Sequence, residues 1–348
     1  MSYVFKKTRG IALSVLVGLL LGSEIKGPNY SGANYIYYHR EQNPQKSSAN
    51  IQSDMNELVQ TKFNSIAIVL SQYVKDTNSY EIKPVEPKKI NDLYIAIQDA
   101  KNKNITIMLK PHVNIADGTA RERIKFKTEA DWKKWFDNYE KFILQYAKIA
   151  KEQDLEMLCI GTELEGTVKR PEWGKIIREI KKEYPGKLIY SSIDYRVVPF
   201  WKELNYIGVN YYPWFKINKK EVSSEDIMAK IEKDSLFQNL RKLSIVENRK
   251  VIFTEWGYNY KCPEKETWTW FRGVEPTPND QIMYYSAFLK LYEKYEKNDF
   301  LRGSFLWAWN SRNSNSEEKY SPKRNKPAVK ILMTFFSDEK YPDSYFLN

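Results

Sequence analysis

Two glutamates stand where apolar runs of the sequence end. Glu163 follows "EMLCIGT", and Glu255 interrupts "VIFTEW". An ionised carboxylate is costly to bury without a partner. A single glutamate at a strand end is more often a solvated loop residue or a salt-bridge partner than a catalyst. Two of them in one site can act as acid and nucleophile, or as acid and base, on a glycosidic bond. This chemistry requires elements that bring positions 163 and 255 together.

Eight β-rich runs alternate with longer amphipathic segments after residue 30. The runs are "ANYIYYH" (33–39), "SIAIVLS" (65–71), "ITIMLKPHV" (105–113), "EMLCIGTE" (156–163), "LIYSSID" (188–194), "YIGVNYY" (206–212), "VIFTEW" (251–256) and "GSFLWAW" (303–309). Continuous apolar strands that alternate with helices are typical of a (β/α)8 barrel. A doubly wound open sheet is the alternative, but no G-x-G-x-x-G motif or P-loop opens a helix after an early strand.

Helical patterns lie between these strands. They cover 51–62, 88–103, 129–153, 171–184, a short piece near 197–204, 223–243, 279–297 and 326–336. In the third segment, apolar and aromatic residues recur with the spacing of one helix face. No linker rich in Pro, Gly or Ser divides the chain. We therefore predict an α/β protein with a single (β/α)8 TIM-barrel catalytic domain over residues 30–348.

Polar residues at the carboxyl ends of the strands are the candidates for function, because the active site of such a barrel lies there. Besides the two glutamates, His112 follows the third strand, and Trp307 lies in the eighth. Asn210 and Tyr212 share one face of the sixth strand, so Tyr212 can hydrogen-bond the nucleophile. Trp307 can stack under a sugar ring. These residues point to hydrolysis of a glycoside.

Several of these residues have a structural alternative. His112 is either a satisfied core group or a sugar contact. Glu165 rivals Glu163 for the acid role, but Glu163 ends the apolar run and Glu165 is expected to begin a loop salt bridge. Trp256 belongs to a cluster of tryptophans after strands seven and eight that adds carbohydrate-binding surface. Trp309, in the same cluster, and Tyr211 are expected to be packing residues.

Charge pattern and cysteine content argue against a nucleic-acid-binding protein, a disulfide-rich protein and a multi-cysteine zinc protein. The formal net charge is +11, with 55 Lys and Arg against 44 Asp and Glu. The basic residues are scattered over helix faces, so no nucleic-acid partner is predicted. Cys159 and Cys262 are too few for a disulfide framework or a multi-cysteine zinc site; we expect two free thiols, with one bridge as the alternative. No motif implies a metal or another cofactor, and we expect a monomer.

The first residues resemble an export signal. Basic residues at positions 6, 7 and 9 precede "GIALSVLVGLLLG", an apolar run that is too short for an ordinary spanning helix. We therefore interpret residues 1–25 as a signal peptide or an N-terminal membrane anchor. The protein is expected to be exported, whether secreted, periplasmic or anchored. A buried N-terminal helix is the alternative, but no polar face interrupts the run.

Four strand sequences resemble the clan A glycoside hydrolases, which are retaining (β/α)8 enzymes. They are "CIGTELEG", "YIGVNYYPWF", "FTEWGY" and "GSFLWAWN". The order of "KPHV", "GTEL", "NYYP" and "TEWGY" looks most like family 113, whose known members are β-mannanases acting on β-1,4-mannan and related oligosaccharides. The resemblance covers roughly residues 30 to 335. It implies a retaining enzyme that cleaves β-1,4-linked mannan or manno-oligosaccharides by a two-carboxylate double displacement.

The resemblance also assigns roles to residues. It implies Glu163 as acid/base, Glu255 as nucleophile and Tyr212 as the support of the nucleophile. Asn210 would face the sugar, and Trp307 would lie beneath the subsite on the non-reducing side of the cleavage point. Thr162 departs from the clan, where Asn usually precedes the acid/base and binds the sugar 2-hydroxyl.

Three other functions remain open at this point. Another clan A β-glycosidase, such as a β-glucanase, β-galactanase or β-mannosidase, would keep the same carboxylates. A non-catalytic carbohydrate-binding barrel would be expected to lack one of them, and both are present. In these two cases the partner is a polysaccharide or an oligosaccharide. The third is a basic polyanion-binding protein, and steep salt dependence of binding would support it.

Overall fold

The computed structural model describes residues 29–37, 43–213, 215–217, 219, 221–258, 277–297, 300–310, 322 and 326–336. Within them, eight parallel strands close into one barrel in sequence order. The strands are β1 (Tyr30–Ile36), β2 (Ser65–Val74), β3 (Thr106–Ile115), β4 (Met157–Thr162), β5 (Lys187–Ser192), β6 (Tyr206–Asn210), β7 (Val251–Trp256) and β8 (Leu301–Asn310). The predicted (β/α)8 barrel is therefore confirmed. Residues 1–25, and with them the predicted export signal, lie outside the described residues.

Helices cover the outside of the barrel. They are α1 (Pro44–Gln60), α2 (Pro87–Asn102), α3 (Glu129–Glu152), α4 (Glu172–Glu183), α5 (Ser224–Lys233), α6 (Ser235–Glu247), α7 (Pro278–Glu296) and α8 (Lys326–Phe335). The predicted helix over 223–243 is in fact two. Asp234 has extended backbone angles, and its side chain accepts from Leu236 N, so it ends α5 and caps α6.

The connection after β5 also differs from the prediction. Where one short helix was expected, two 3₁₀ turns are present, Tyr195–Val197 and Trp201–Glu203. Pro199 lies between them. Because proline has no backbone N–H to donate and disfavours helical geometry in the preceding residue, a continuous helix cannot run through this position.

The core has an inner and an outer layer. The inner layer fills the barrel with alternate side chains of the strands: Tyr30, Ala67, Met108, Met157, Cys159, Ile189, Tyr206, Ile252 and Phe305. The outer layer packs the strands against the helices, and Ile207, Val209 and Tyr211 of the β6 region belong to it. The alternation expected for β6 is thus confirmed, and it leaves Asn210 at the mouth of the barrel.

Gly208 lies where the backbones of strands β5 and β6 approach each other closely. A Cβ atom there would lie 2.1 Å from the carbonyl oxygen of Tyr190 on the neighbouring strand. No side chain fits at that distance, so glycine allows β5 and β6 to pack just below Asn210.

Three further observations bear on the sequence predictions. Cys159 is a buried free cysteine, while Cys262, Trp268 and Trp270 lie outside the described residues. Among the helices of the described residues, none combines the length and the apolar character that a membrane span needs. The described part of the chain also holds no group of three His, Cys, Asp or Glu side chains placed to share a metal ion.

Candidate active site

A register shift in β7 directs the side chain of Glu255 into the mouth of the barrel. Val209 pairs with Phe253, but the next residue of β6, Asn210, pairs with Glu255, so Thr254 is the extra residue of a β-bulge. Ile252 and Thr254 face inward, and strict alternation would have sent Glu255 outward to the helices. Bulges of this kind re-aim side chains next to active sites. The bulge therefore lets two consecutive residues, Thr254 and Glu255, both reach the interior.

Both oxygens of the Glu255 carboxylate accept a hydrogen bond. Lys110 Nζ donates to Oε1 at 2.6 Å, and the Tyr212 hydroxyl donates to Oε2 at 3.1 Å. Burial raises the pKa of Glu255, and the nearby Glu163 adds to the rise, whereas the charge of Lys110 opposes it. The tyrosine contact expected from the sequence is present.

Lys110 is itself fully buried, on the inward face of β3. Besides Glu255, its ammonium group donates to Asn34 Oδ1 at 3.1 Å and to the carbonyl oxygen of Thr254 at 3.3 Å. Three acceptors match the three protons of an ammonium group, so each donor of Lys110 has a partner. The carboxylate of Glu255 thus has a fixed cation beneath it.

Glu163 follows β4 at the opposite side of the mouth. Asn210 Nδ2 donates to its Oε1 at 2.7 Å, and Arg121 Nε lies 3.4 Å from its Oε2. Its backbone has φ of +51°, a left-handed conformation that few residues other than glycine adopt. Strain of this sort costs about 1–3 kcal/mol and clusters at functional sites, where the surrounding contacts enforce it.

Asn210 connects the elements that carry the two glutamates. Its Oδ1 accepts from Ser191 Oγ at 2.6 Å on β5 and from Thr254 Oγ1 at 2.9 Å on β7. Because two hydroxyl donors occupy its oxygen, the amide nitrogen must point at Glu163. The orientation of the Glu163 carboxylate therefore depends on side chains from three strands.

The remaining wall of the mouth is aromatic. The rings of His112 and Trp307 are nearly parallel, with centroids 6.1 Å apart and an interplanar angle of 7°. Lys110 Nζ lies 5.5 Å from the Trp307 ring centroid. Burial, with Arg121 and Lys110 nearby, lowers the pKa of His112 well below its usual range. A neutral imidazole therefore stands beside the half-buried tryptophan, and its Nε2 has no hydrogen-bond partner among the described residues.

Six of the eight predicted site residues thus meet at this mouth: His112, Glu163, Asn210, Tyr212, Glu255 and Trp307. Thr162 is buried behind them, with its hydroxyl 3.6 Å from the Cys159 thiol. The contact expected between Thr162 and a sugar stays a prediction.

The prediction that Trp256 contacts substrate is wrong. Its side chain is fully buried and stacks on Phe288 of α7, with ring centroids 4.0 Å apart and an interplanar angle of 10°. The bulge that turns Glu255 inward turns its neighbour outward, because successive side chains of a strand point to opposite faces. Trp256 anchors the strand to the helix layer instead.

Glu165 differs from its prediction as well. Instead of a salt bridge, its Oε1 accepts from Ser192 Oγ at 2.9 Å and from Ile193 N at 2.8 Å. Burial raises the pKa of Glu165. Glu165 thus holds the turn after β5, and Glu163 alone of the two contacts the site residues. Packing was expected for Trp309 and Tyr211 and is confirmed: both are buried, against Phe63 and Phe253 respectively.

Two important residues had not been singled out from the sequence. Lys110 carries a visible signal, since a lysine inside the apolar run "ITIMLKPHV" is the same anomaly as a glutamate inside "VIFTEW". Arg121 carries none. It lies on a 3₁₀ turn after β3 (Arg121–Arg123), and only the path of that loop brings it to Glu163.

Comparison with known proteins gives a consistent family and fold. The model of Glycoside Hydrolase Family 113 matches residues 35–326. A solved complex of a family 113 β-1,4-mannanase is 21% identical with a TM-score of 0.69, over 90% of this chain and 100% of that one. A family 113 β-mannanase from Alicyclobacillus acidocaldarius is 19% identical with a TM-score of 0.71, over 89% and 97%. A family 5 mannosidase from Rhizomucor miehei is 13% identical with a TM-score of 0.60, over 90% and 96%. No curated protein matches the sequence.

Proposed function

The chain belongs to glycoside hydrolase family 113, and we propose that it hydrolyses β-1,4-linked mannan or manno-oligosaccharides with retention of configuration. Membership of the family makes the protein a glycoside hydrolase. The arrangement of Glu163 and Glu255 across one barrel mouth supports the two-carboxylate mechanism, since each carboxylate has its own set of fixed donors. Two of the similar solved structures are described as β-mannanases, which supports the choice of mannan.

In the first step, Glu255 attacks the anomeric carbon and forms a covalent glycosyl ester. The bond from that carbon to the departing oxygen breaks, and Glu163 gives its proton to the oxygen. Lys110 and Tyr212 hold the attacking carboxylate in place, so that little rearrangement is needed when the bond forms. Asn210 and Arg121 orient Glu163 toward the departing oxygen.

In the second step, Glu163 is ionised and takes a proton from water as the water attacks the anomeric carbon. The ester bond to Glu255 breaks and its carboxylate is restored, so that one glycosidic bond and one water give two hydroxyl groups. Lys110 favours this step, because its charge stabilises the carboxylate that is released. Trp307 supplies a flat surface for the sugar, and the free Nε2 of His112 can bond one of its hydroxyls.

Product analysis tests both parts of the proposal. The protein is incubated with mannan and with cello-, xylo- and galacto-oligosaccharides, and the anomer released first is recorded by NMR. Retention with turnover of mannan is expected. Inversion would refute the mechanism whatever the substrate. Turnover of another glycan but not of mannan would refute the substrate and favour a different clan A β-glycosidase.

We also propose that residues 1–25 direct export. The observation behind this is the basic segment followed by a short apolar run. Expression of the full chain with fractionation of cells, followed by N-terminal sequencing of the exported protein, tests it and distinguishes cleavage from anchoring. Retention of the whole protein inside the cell would contradict the proposal.

A further inference from the structure

Asn34 is a fully buried polar residue in the middle of β1. It faces the inside of the barrel, as does Tyr30 of the inner layer four positions before it. An amide buried without partners would cost free energy. Asn34 instead makes four hydrogen bonds, and its partners belong to three other strands, β3, β7 and β8.

The first partner of Asn34 is the bulge of β7. Its Nδ2 donates at 3.0 Å to the carbonyl oxygen of Thr254, the extra residue of that bulge. A bulge disrupts the hydrogen-bond ladder locally, so a donor from outside the strand pair can satisfy such a carbonyl group. Lys110 Nζ donates to the same oxygen at 3.3 Å. The carbonyl group that precedes Glu255 is therefore held by two side chains.

The second partner is an irregularity in β8. Opposite Asn34, β8 has one residue more than β1, and Trp307 belongs to this stretch. Asn34 Nδ2 donates to the carbonyl oxygens of Phe305 and Leu306, both at 3.3 Å. These two groups come just before Trp307, so the amide also fixes the backbone from which the tryptophan projects.

The orientation of the Asn34 amide follows from its partners. Its Oδ1 accepts from Lys110 Nζ at 3.1 Å. Because an ammonium group only donates and a carbonyl oxygen only accepts, one orientation of the amide alone satisfies all four contacts. Asn34, Lys110 and the carbonyl oxygen of Thr254 thus form a closed ring of hydrogen bonds. The ring supports Glu255 directly, since the same ammonium group donates to its Oε1 at 2.6 Å.

We propose that Asn34 is a positioning residue that sets the nucleophile and the sugar platform relative to each other. This role rests on the proposed function, in which Glu255 attacks the sugar that Trp307 supports. One amide group clamps the two irregular stretches from which these side chains project, so neither can shift without loss of a hydrogen bond. Asn34 acts through Lys110 and these two residues and does not itself contact substrate.

Single-turnover kinetics of the full chain test this role. With enzyme in excess over 2,4-dinitrophenyl β-mannobioside, release of dinitrophenol reports formation of the glycosyl ester. At saturating enzyme, the rate constant of release belongs to folded molecules alone, so a loss of stability does not change it. The concentration of folded enzyme at half saturation is measured as well, with the folded fraction taken from circular dichroism.

Asn34→Leu removes all four hydrogen bonds at a similar side-chain volume. The rate constant should fall about 10²-fold, as for a misplacement of about 1 Å between reacting groups. The half-saturating concentration should rise about 2- to 10-fold, because the aromatic platform moves too. A lower rate constant with an unchanged half-saturating concentration would overturn the shared placement, since Glu255 alone would then depend on Asn34.

Asn34→Asp is the second variant, for the case that Asn34→Leu does not fold. Aspartate has the same shape and keeps an acceptor for Lys110, but an ionised carboxylate turns an oxygen toward three carbonyl oxygens. Measured at the alkaline end of the activity plateau, where ionisation of the new carboxyl is favoured, its rate constant should also fall. A rate constant equal to that of the wild type would show that only the acceptor for Lys110 matters and would overturn the clamp.

Tyr30→Phe is the matched control. Tyr30 lies on the same face of β1 at the end of the strand away from the mouth, and its hydroxyl donates to Glu156 Oε1 at 2.7 Å. The variant loses a hydrogen bond from the same strand but leaves both irregular stretches intact. It should match the wild type in rate constant and half-saturating concentration. Equal effects of Tyr30→Phe and Asn34→Leu would assign the change to a weakened β1 and overturn the role of Asn34.

Failure of the proposed function gives a different result. A wild type that releases dinitrophenol from a glucoside or galactoside donor but not from the mannobioside refutes the mannan proposal. The three variants are then measured with that donor, and the same comparison of rate constants and half-saturating concentrations decides the role of Asn34.

Discussion

Lys110 Nζ lies 2.6 Å from Glu255 Oε1, and both side chains are buried at the barrel mouth. The two residues come from strands β3 and β7 on opposite sides of the barrel, so the pair joins distant parts of the chain. Burial raises the pKa of the Glu255 carboxyl, and the ammonium group opposes this rise. In the proposed mechanism, Lys110 would therefore be a positioning residue that favours the anionic form of Glu255.

Replacement of Lys110 by methionine should therefore change the pH dependence of catalysis. Without the cation, the pKa of Glu255 rises further, and the acid limb of the kcat/KM profile moves to higher pH because the nucleophile must be ionised. The other groups that influence this carboxyl, Glu163, Arg121 and Tyr212, are unchanged. A pH–rate profile on an aryl mannoside measures the shift. An unchanged acid limb in a folded, active variant would contradict it.

The stability of the same variant supplies a control. Removal of one partner of a buried ion pair costs about 3–5 kcal/mol, because the other charge remains buried alone. In the Glu255→Gln background no anion is left behind, so Lys110→Met should cost less there than in the wild type. Urea unfolding of the two single variants and the double variant measures the difference. Equal costs in both backgrounds would show that Lys110 does not act through Glu255.

Replacement of Glu163 by alanine should separate the two steps of the reaction. Turnover of mannan should fall about 10²–10⁴-fold, because no acid remains for a poor leaving group. Aryl mannosides with good leaving groups should still form the intermediate, and azide should restore its breakdown. Release of the aryl group with and without azide measures this.

Glu165→Gln is the matched control for that variant. It removes a carboxylate two positions along the chain that binds the turn after β5. It should keep most activity on mannan and show no response to azide. Azide rescue of Glu165→Gln, with full activity in Glu163→Ala, would exchange the roles of the two residues.

Removal of the Tyr212 hydroxyl should weaken transition-state binding without loss of the fold. The hydroxyl donates to Glu255 Oε2 at 3.1 Å, and a hydrogen bond to a charged group contributes about 1.5–3 kcal/mol. Tyr212→Phe should therefore lower kcat/KM about 10- to 100-fold. The Tyr211→Phe variant, altered at a buried packing residue beside it, should change kcat/KM far less. Comparable losses in both variants would assign the effect to packing.

His112 should affect substrate binding but not the pH profile. Because burial lowers the pKa of His112 well below the usual range, we expect the imidazole to stay neutral across the measured pH profile. His112→Phe keeps a ring against Trp307 and removes the free Nε2. We expect kcat/KM to fall about 2- to 10-fold, as for one neutral hydrogen bond, with both limbs of the pH profile unmoved. A moved limb would show that His112 titrates during catalysis.

The strand pattern could be predicted from the sequence because apolar runs bounded by polar residues are a local signal. The bounds of β7, 251–256, agree with the prediction. The side that each residue of β7 faces was not predictable, since the bulge at Thr254 depends on pairing with β6. This is why Glu255 was placed correctly and Trp256 was not. Helices α5 and α6 were merged in the prediction because Asp234 is no strong helix breaker, and its capping role is visible only in three dimensions.

Contacts that depend on loop paths were the hardest to foresee. Lys110 lies in a strand, and its charge within an apolar run marks it as unusual. Arg121 reaches Glu163 only because the loop after β3 folds back over the mouth, and no spacing in the sequence encodes that distance. The polar support of Asn210 by Ser191 and Thr254 likewise depends on how the neighbouring strands β5, β6 and β7 pair, which the sequence does not show.

The bulge in β7 couples the setting of Glu163 to the residue beside Glu255. Deletion of the one extra residue, Thr254, would place the glutamate directly after Phe253, so regular alternation would still point its carboxylate into the mouth. The deletion would instead remove the hydroxyl that donates to Asn210, and with it one of the two donors that turn the Asn210 amide nitrogen toward Glu163. A change next to one glutamate would therefore alter the orientation of the other on the far side of the mouth.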